Sequence, residues 1–299
     1  MQAGTVKANP ALVLITPIVF LLLWSGGYAV AKVALLHCDP LTLLVARYMC
    51  ALLLLLPSAV VYGPPFPRGA EWWQVGLVGL LIQGGYFGFS YLSFNAGVSA
   101  GAVALIVSMQ PVLVGLLAPA MVGESVGLRR WLGLLLGLAG AGLVIYARSR
   151  IEVTSPIGVL DACGGLCCMT AATLAEKRFA LRVHPISANL VQYAVGIAVI
   201  LPLAIGLEPM RIDWSPAFVG SLGYLVIGNS IIAITLMLAM VRAGEASRVS
   251  ALLFLVPPLA ALIAYVLIGE PMPPLAWAGM GIAAIGVLLA TIRFRTRPT

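Results

Sequence analysis

Charged residues are scarce in this sequence, and their scarcity excludes most classes of protein. Of the 299 residues only 9% are Asp, Glu, Lys or Arg, whereas 62% are hydrophobic. A water-soluble domain could not cover so much apolar surface with so little charge. The chain is therefore predicted to be an integral membrane protein. Its net charge of +7 is interpreted through its distribution across the membrane, and nucleic acid is not an expected partner.

Motifs for metals, cofactors and nucleotides are also lacking. The five cysteines are an odd number, so no disulfide framework is predicted. Cys163 and Cys167 share a helix face, but no His or carboxylate nearby would complete a tetrahedral metal site. No G-x-x-x-x-G-K-[ST] motif is present, which excludes an ATPase of the P-loop type. We expect no bound metal and no cofactor.

Long apolar runs are what the sequence has in place of charge. A helix that crosses a bilayer needs about 20 apolar residues. The sequence predicts an all-α membrane protein with ten transmembrane helices, in the runs Pro10–Ala31, Pro40–Val61, Trp72–Phe94, Ala100–Val122, Trp131–Ala147, Pro156–Ala175, Ile186–Leu207, Ala217–Val241, Val249–Gly269 and Leu275–Phe294.

The basic residues between these runs predict the orientation of the chain. Twelve Lys and Arg residues fall on the side of both termini and four on the other side. By the positive-inside bias, both termini of this multi-pass protein are expected in the cytoplasm, with the chain in the cytoplasmic (inner) membrane. Membrane lipid is the expected partner of the basic C-terminal tail.

An internal duplication organises the chain. Pro111–Leu143 matches Pro257–Leu289 at a shift of 146 positions, with ten identities in 33, where about three are expected by chance. The halves are assigned to residues 1–150 and 151–299. Each half has five runs, and an odd number makes the second half enter the membrane from the opposite side. Such inverted repeats are typical of transporters that bind substrate near the membrane midplane, where the halves meet.

Polar and aromatic side chains at helical spacing are the first candidates for a substrate site. Trp24 and Tyr28 are one turn apart in the first run, and Gln83, Tyr86 and Ser90 share one face of the third. An amide in the middle of a span must face protein or a wet cavity. Ordinary helix packing is the alternative for the aromatic rings.

The middle of other spans supplies further candidates. Gln110 lies at the centre of the fourth run, Asn229 and Ser230 lie at the centre of the eighth, and Phe254 precedes the two prolines of the ninth. Together with Gln83, the polar residues would form an uncharged ring at the midplane. Such a ring suits a neutral or zwitterionic organic solute better than a metal ion, which prefers carboxylates.

Prolines at equivalent positions of the halves are candidate hinges. Pro111 removes a backbone donor in the middle of the fourth run, and Pro257 and Pro258 do so in the ninth. Interrupted helices at corresponding positions of two repeats point to a transport site. A static kink is the alternative.

Two charges lie inside the predicted spans. Arg47 is about two turns from the outer end of the second run, where an unpaired guanidinium costs about 2.5 kcal/mol or more. Its partner is expected to be either Asp161, at similar depth in the sixth run, or a carboxylate of the substrate. Because Asp161 is the one carboxylate within these runs, proton exchange and facilitated diffusion both remain open.

Glycines mark the fifth and tenth runs as scaffold or dimer surfaces. Small residues let helices approach closely. The glycines are Gly133, Gly137 and Gly140 in the fifth run and Gly279, Gly281 and Gly286 in the tenth. The chain is expected to be a monomer or a weak homodimer.

These features resemble a known family. The duplicated five-helix unit, the stretch from Trp24-Ser25-Gly26 to Lys32, Asp39-Pro40 leading to Arg47, and the repeated Pro…Gly-Glu…Gly pattern are similar to the EamA family of the drug/metabolite transporter superfamily. The resemblance implies a ten-helix inverted-repeat carrier that exports amino acids or other metabolites. It also implies a cavity lined mainly by the first, third, fourth, sixth, eighth and ninth helices.

A secondary carrier of a small molecule, working by alternating access, is therefore the expected function, and no enzymatic activity is expected. A nucleotide-sugar or multidrug carrier is the first alternative, although a nucleotide sugar would favour several basic residues in the spans and a lipophilic cation a midplane carboxylate. A membrane-embedded serine hydrolase is the second, because Gly97-Val98-Ser99-Ala100-Gly101 satisfies G-x-S-x-G and His37 and Asp39 lie on the same side. That motif requires a strand-to-helix turn, which a connection between two spans does not provide.

Overall fold

The computed structural model describes residues 10–98, 100–123, 127–148, 155–179, 181, 183–240, 252, 255–268 and 273–291. Most of these residues are helical, and none belongs to a strand beyond one isolated bridge, which confirms the all-α prediction. The helices are α1 (Pro10–Ala34), α2 (Pro40–Tyr62), α3 (Glu71–Gly79, Leu80–Tyr86 and Phe87–Asn95, continuous), α4 (Ala100–Ser108 and Gln110–Val122), α5 (Leu128–Arg148), α6 (Pro156–Phe179), α7 (Pro185–Leu207), α8 (Pro216–Gly223, Tyr224–Ala233 and Ile234–Met240, continuous), α9 (Val256–Ile268) and α10 (Pro274–Thr291).

Seven helices in the described part of the chain are long and apolar enough to cross a membrane, namely α1, α2, α3, α4, α6, α7 and α8. Large apolar side chains such as Leu53, Val60 and Leu160 are exposed on these helices, as expected for surfaces that face lipid. The chain is thus a multi-pass membrane protein by length and composition. The prediction of ten spans stays a prediction for α5, α9 and α10.

Proline and glycine define several helix ends. Pro40, Pro185 and Pro216 lie in the first turns of α2, α7 and α8. Backbone N–H groups in the first turn have no acceptor within the helix, so proline, which has no N–H, costs no hydrogen bond there. Gly63 and Gly123 end α2 and α4 with φ of 53° and 72°, a left-handed conformation that glycine adopts without strain.

The helices of the two halves make matching contacts. α2 packs on α7, α4 on α9 and α5 on α10, each helix meeting its sequence equivalent. The contact of α3 with α6 has its counterpart in α8 with α1, and that of α3 with α7 in α8 with α2. This arrangement is the one expected of a duplicated unit whose two copies pack against each other.

Helices α5 and α10 meet through their glycines. A Cβ added at Gly140 would collide with the backbone of Gly279 and Ala283, and one at Gly286 with the backbone of Gly137. These glycines therefore form a contact within the chain and act as scaffold. Gly281 has nothing within 4 Å of its Cβ position and does not belong to this contact.

Replacing Gly140 with alanine is expected to destabilise the fold. The added methyl group must push two backbones apart, and overpacking of this kind costs about 1–3 kcal/mol. Gly142, two residues further along α5, has nothing within 4 Å of its Cβ position, so Gly142→Ala is the matched control. We expect Gly140→Ala to lower the thermal unfolding midpoint in detergent and Gly142→Ala to leave it unchanged or raise it. Equal midpoints for the two variants would contradict the packing argument.

The connection between α1 and α2 is joined to the segment between α7 and α8. Cys38 pairs with Ile212 in an antiparallel bridge, and the amide of Asp213 donates to the carbonyl of His37 at 2.9 Å. His37 Nδ1 also lies 2.8 Å from Asp213 Oδ2. The two halves are thereby linked at the end of the bundle that the positive-inside bias assigns to the outside.

Glu208 strengthens this link by capping α2. Its carboxylate accepts hydrogen bonds from the Leu41 amide at 2.9 Å and from the amide and hydroxyl of Thr42 at 2.7 Å each. A carboxylate at a helix N-terminus satisfies free N–H groups and interacts favourably with the helix dipole. Since Glu208 follows α7, a residue of the second half completes the start of a helix of the first.

Cys38 is the cysteine of the connection between α1 and α2. Burial of the thiol, with the nearby charges of Asp39 and Glu208, raises its pKa to about 12. The thiol therefore stays protonated at neutral pH and is a poor nucleophile and metal ligand.

Candidate functional site

A cavity lies between α1, α2, α3 and α8, and it is therefore built from both halves of the chain. The empty space between its walls, including space open to solvent, is about 300 Å³. The lining is mainly aromatic, with one cationic side chain and no acidic one. It consists of Trp24, Gly27, Tyr28, Arg47, Tyr86, Phe87, Ser90, Tyr91, Phe94, Leu225 and Asn229.

Arg47 is the polar centre of this cavity. Its Nε donates to Ser230 Oγ at 2.6 Å, one terminal nitrogen to the Tyr91 hydroxyl at 2.9 Å and the other to Asn229 Oδ1 at 3.0 Å. The guanidinium carbon also lies 4.1 Å from the centroid of the Phe87 ring. All of these partners are neutral, so they satisfy hydrogen bonds and orient the guanidinium without cancelling its charge.

The expected pair between Arg47 and Asp161 does not form in this structure. Both residues lie in the described part of the chain, and no contact joins them within salt-bridge distance. The reason is the helix arrangement: α2 packs against α3, α7 and α8, whereas α6 packs against α3 and α4. Similar depth in the membrane did not make the two residues neighbours.

Aromatic rings form the wall around Arg47. Trp24 and Tyr86 are stacked with ring centroids 6.1 Å apart and an interplanar angle of 9°. The hydroxyls of Tyr28 and Tyr86 are hydrogen-bonded at 2.9 Å, and Phe94 meets Tyr28 edge-on at 6.3 Å. Trp24, Tyr28, Tyr86 and Ser90, which helical spacing predicts as site residues, all line the cavity.

The predicted uncharged ring at the midplane is not what the structure shows. Asn229 lines the cavity, and both Asn229 and Ser230 accept hydrogen bonds from Arg47. The polar groups of the cavity therefore include the fixed positive charge of Arg47. Gln83 is fully buried against Gly196 of α7 and is not part of the lining. Gln110 donates to the Thr173 hydroxyl at 2.9 Å, in the contact between α4 and α6. Gln83 lies between α3 and α7 and Gln110 between α4 and α6, and neither is part of the described lining.

The proline positions correspond to local interruptions. α4 is divided at Met109, whose carbonyl accepts from the amides of both Val112 and Leu113, and Pro111 lies within this turn. Pro257 and Pro258 lie in the first turn of α9 as described. Their role as hinges stays a prediction. Phe254, also predicted as a binding residue, lies outside the described residues.

Two π-helical segments, which the sequence did not predict, lie at equivalent positions of the halves. They are Leu80–Tyr86 in α3 and Tyr224–Ala233 in α8. The Tyr48 hydroxyl donates to the carbonyl of Gln83 at 2.7 Å, and the Tyr193 hydroxyl donates to that of Ser230 at 2.5 Å. The match of Tyr48 with Tyr193 at a shift of 145 positions is the one sequence signal for this arrangement. π-Helical turns are frequent at functional sites.

Glycines of α1 allow α8 to reach the cavity. A Cβ at Gly26 would collide with the Tyr224 hydroxyl, and one at Gly27 with the Asn229 amide. Both side chains donate to the carbonyl of Leu23, Tyr224 at 3.0 Å and Asn229 at 3.4 Å. Gly27 therefore provides the space in which Asn229 lies between α1 and Arg47.

The arrangement expected for a serine hydrolase does not form in the described part of the chain. His37 pairs with Asp213, not Asp39. Ser215 Oγ lies 3.2 Å from His37 Nδ1, but it also caps α8 by accepting from the Phe218 amide at 3.2 Å. Ser99, the serine of the G-x-S-x-G pattern, lies outside the described residues.

Comparison with known proteins identifies relatives that cover nearly the whole chain. The model of the EamA-like transporter family matches twice, at residues 11–146 and 156–292, which shows a two-repeat architecture. The "Uncharacterized transporter YvbV" of Bacillus subtilis is 26% identical over 92% of this chain and 90% of its own length. The "Uncharacterized inner membrane transporter YedA" of Escherichia coli K12 is 24% identical over 91% and 88%.

Two further comparisons bear on substrate and fold. The "Probable terminal-alkyne amino-acid exporter" of Streptantibioticus cattleyicolor is 25% identical over 90% of each chain. A solved crystal structure superposes with a TM-score of 0.75 at 21% identity, covering 95% of this chain and 97% of its own. At that identity the superposition shows the shared fold alone.

Proposed function

Because the chain belongs to the EamA-like transporter family, we propose that it is a secondary carrier that exports small metabolites, above all amino acids, across the cytoplasmic membrane by alternating access. The observation that carries this proposal is the cavity between the halves, in which Arg47 of the first half is held by Asn229 and Ser230 of the second. A movement of one half against the other would break and remake these contacts. Amino acids are favoured because one relative is named as a probable exporter of an amino acid.

The proposed carrier has ten spans in two inverted five-helix repeats, residues 1–150 and 151–299, with both termini in the cytoplasm. The paired packing of equivalent helices supports two structurally related halves. The carrier works as a monomer or a weak homodimer surrounded by lipid. The glycines of α5 and α10 pack on each other within the chain, so in this proposal they do not form a dimer surface.

The composition of the cavity disfavours the alternative substrates. A nucleotide sugar carries phosphates that several basic residues would bind. Among the described residues that line the cavity, Arg47 is the one basic residue. A lipophilic cation would be attracted by a carboxylate, and the same lining contains none. We also propose that the protein is not an enzyme, because its family and relatives are transporters.

Transport by the purified full-length chain in liposomes tests the proposal. Labelled amino acids are offered with and without a pH gradient, and empty liposomes are the control. We expect at least one amino acid to accumulate beyond the control. If none does but another metabolite is moved, the amino-acid assignment is wrong, and if no solute is moved the carrier proposal is wrong. Stimulation by the gradient would indicate proton coupling, and insensitivity to it would indicate facilitated diffusion.

Replacing Gly27 with alanine is expected to slow transport by about tenfold or more. The new methyl group displaces the Asn229 amide, and loss of a hydrogen bond to a charged group costs about 1.5–3 kcal/mol. Gly223→Ala on α8 is the matched control, since nothing lies within 4 Å of its Cβ position. The measurement is the initial rate of transport at equal amounts of reconstituted protein. Similar rates for the two variants would show that the position of Asn229 is not critical.

A further inference from the structure

The charges of the cavity are unbalanced. Six aromatic residues, Ser90 and Asn229 surround Arg47, and no carboxylate is part of the described lining. The ion pair of His37 with Asp213 lies in the contact between the α1–α2 connection and the segment after α7, and neither residue is part of this lining. The guanidinium of Arg47 is fully buried, so bulk water does not neutralise its field. The cavity therefore presents a net positive charge in a region of low polarity.

Arg47 also has hydrogen-bonding capacity beyond its present contacts. A guanidinium has five N–H groups, and three bonds are directed at Ser230, Tyr91 and Asn229. Two N–H groups thus have no acceptor among the described residues. A carboxylate fits this requirement, because its oxygens accept in pairs from the planar fork of an arginine.

The described lining offers no carboxylate to an ammonium group. Aromatic faces can bind cations, but the Phe87 face is already covered by Arg47 at 4.1 Å. A second cation in the same cavity would also be repelled by the guanidinium. The rings of Trp24, Tyr28 and Tyr86 are instead suited to packing against a planar or apolar group.

We propose that the cavity recognises the carboxylate of its substrate through Arg47, that it packs a planar or apolar body against Trp24, Tyr28 and Tyr86, and that it makes no specific contact with an ammonium group. This inference rests on the proposed function, because it specifies the substrate of the same cavity. Amino acids then bind through the carboxylate and side chain. Carboxylates of similar shape that lack the amine are substrates as well.

Binding of four probes of matched shape tests the inference. The purified full-length protein is titrated in a calorimeter with 3-phenylpropanoate, L-phenylalanine, 2-phenylethylamine and 3-phenylpropanamide. We expect 3-phenylpropanoate to bind at least as tightly as L-phenylalanine, and about tenfold or more tightly than the amine and the amide. Tighter binding of the amine, or no binding of 3-phenylpropanoate, would overturn the inference.

Variants of Arg47 locate the carboxylate. Arg47→Met is expected to reduce 3-phenylpropanoate binding by about tenfold or more and to leave the weak binding of the amide unchanged, whereas Arg47→Lys retains part of the preference for the anion. An unchanged preference in Arg47→Met would overturn the inference, and the ranking of probes in the wild type decides it if that variant does not fold.

If labelled amino acids are transported but 3-phenylpropanoate does not bind, the inference alone fails. If 3-phenylpropanoate binds but no solute is transported, the proposed function fails.

Discussion

Replacing Arg47 with methionine is expected to reduce the initial rate of transport by about a hundredfold or more. Two effects combine: the positive charge of the cavity is lost, and Asn229 and Tyr91 lose the donor that orients them. Hydrogen bonds to a charged group contribute about 1.5–3 kcal/mol each, and about 1.4 kcal/mol corresponds to a factor of ten. The rate is measured in liposomes with the best substrate of the amino-acid panel.

The same substitution separates transport from folding. Methionine removes the desolvation cost of the buried charge, which offsets part of the cost of the three acceptors that lose their donor. We therefore expect Arg47→Met to retain a cooperative thermal unfolding transition, with a lowered midpoint, while it loses transport. Arg47→Lys is the companion variant, since it keeps the charge but not the planar fork, and an intermediate rate is expected. Transport by Arg47→Met at more than about half the wild-type rate would show that Arg47 does not contact the substrate.

Removing the hydroxyls of Tyr48 and Tyr193 is the second change with a large expected effect. Each hydroxyl donates to a buried carbonyl of a π-helical segment, and an unsatisfied buried acceptor costs about 1–3 kcal/mol. The two rings pack on each other with centroids 5.5 Å apart, and phenylalanine preserves that contact. The double variant Tyr48→Phe/Tyr193→Phe is therefore expected to lose about 2–6 kcal/mol, because the two hydroxyls serve different carbonyls.

Transport is expected to fall in parallel with stability. Asn229 and Ser230 belong to the segment that Tyr193 stabilises, and Ser230 and Asn229 position Arg47. Tyr62→Phe on α2 is the control, because Tyr62 is 76% exposed. Thermal unfolding in detergent and initial transport rates are measured on all variants. If the double variant behaves like Tyr62→Phe in both assays, the repeated hydrogen bond does not stabilise the π-helical segments.

The helices and the family could be predicted because the sequence encodes them locally. Apolar runs of sufficient length determine spans, and the spacing of Pro, Gly and Trp in two copies reveals the duplication. Helical periodicity also indicates that Trp24 and Tyr28 share one face of α1 and that Tyr86 and Ser90 share one face of α3, since residues one turn apart share a face. The structure gives those faces a common cavity.

The neighbours of each helix could not be predicted in the same way. Depth in the membrane suggested Asp161 for Arg47, but helix α2 lies beside α8 and not beside α6. Polarity suggested that Gln83 and Gln110 face the cavity, whereas both lie in contacts between helices, where an amide is equally sheltered from lipid. The π-helical segments leave no periodic pattern in the sequence, because a single wide turn is a local adjustment to its surroundings.

The position of a bound carboxylate tests the central claim most directly. A crystal structure with 3-(4-iodophenyl)propanoate would locate the iodine by its anomalous scattering and the carboxylate by its density. We predict the iodophenyl ring against Trp24, Tyr28 and Tyr86, with the carboxylate accepting hydrogen bonds from Arg47. An iodine peak outside this cavity, or a carboxylate inside it that does not contact Arg47, would contradict the account.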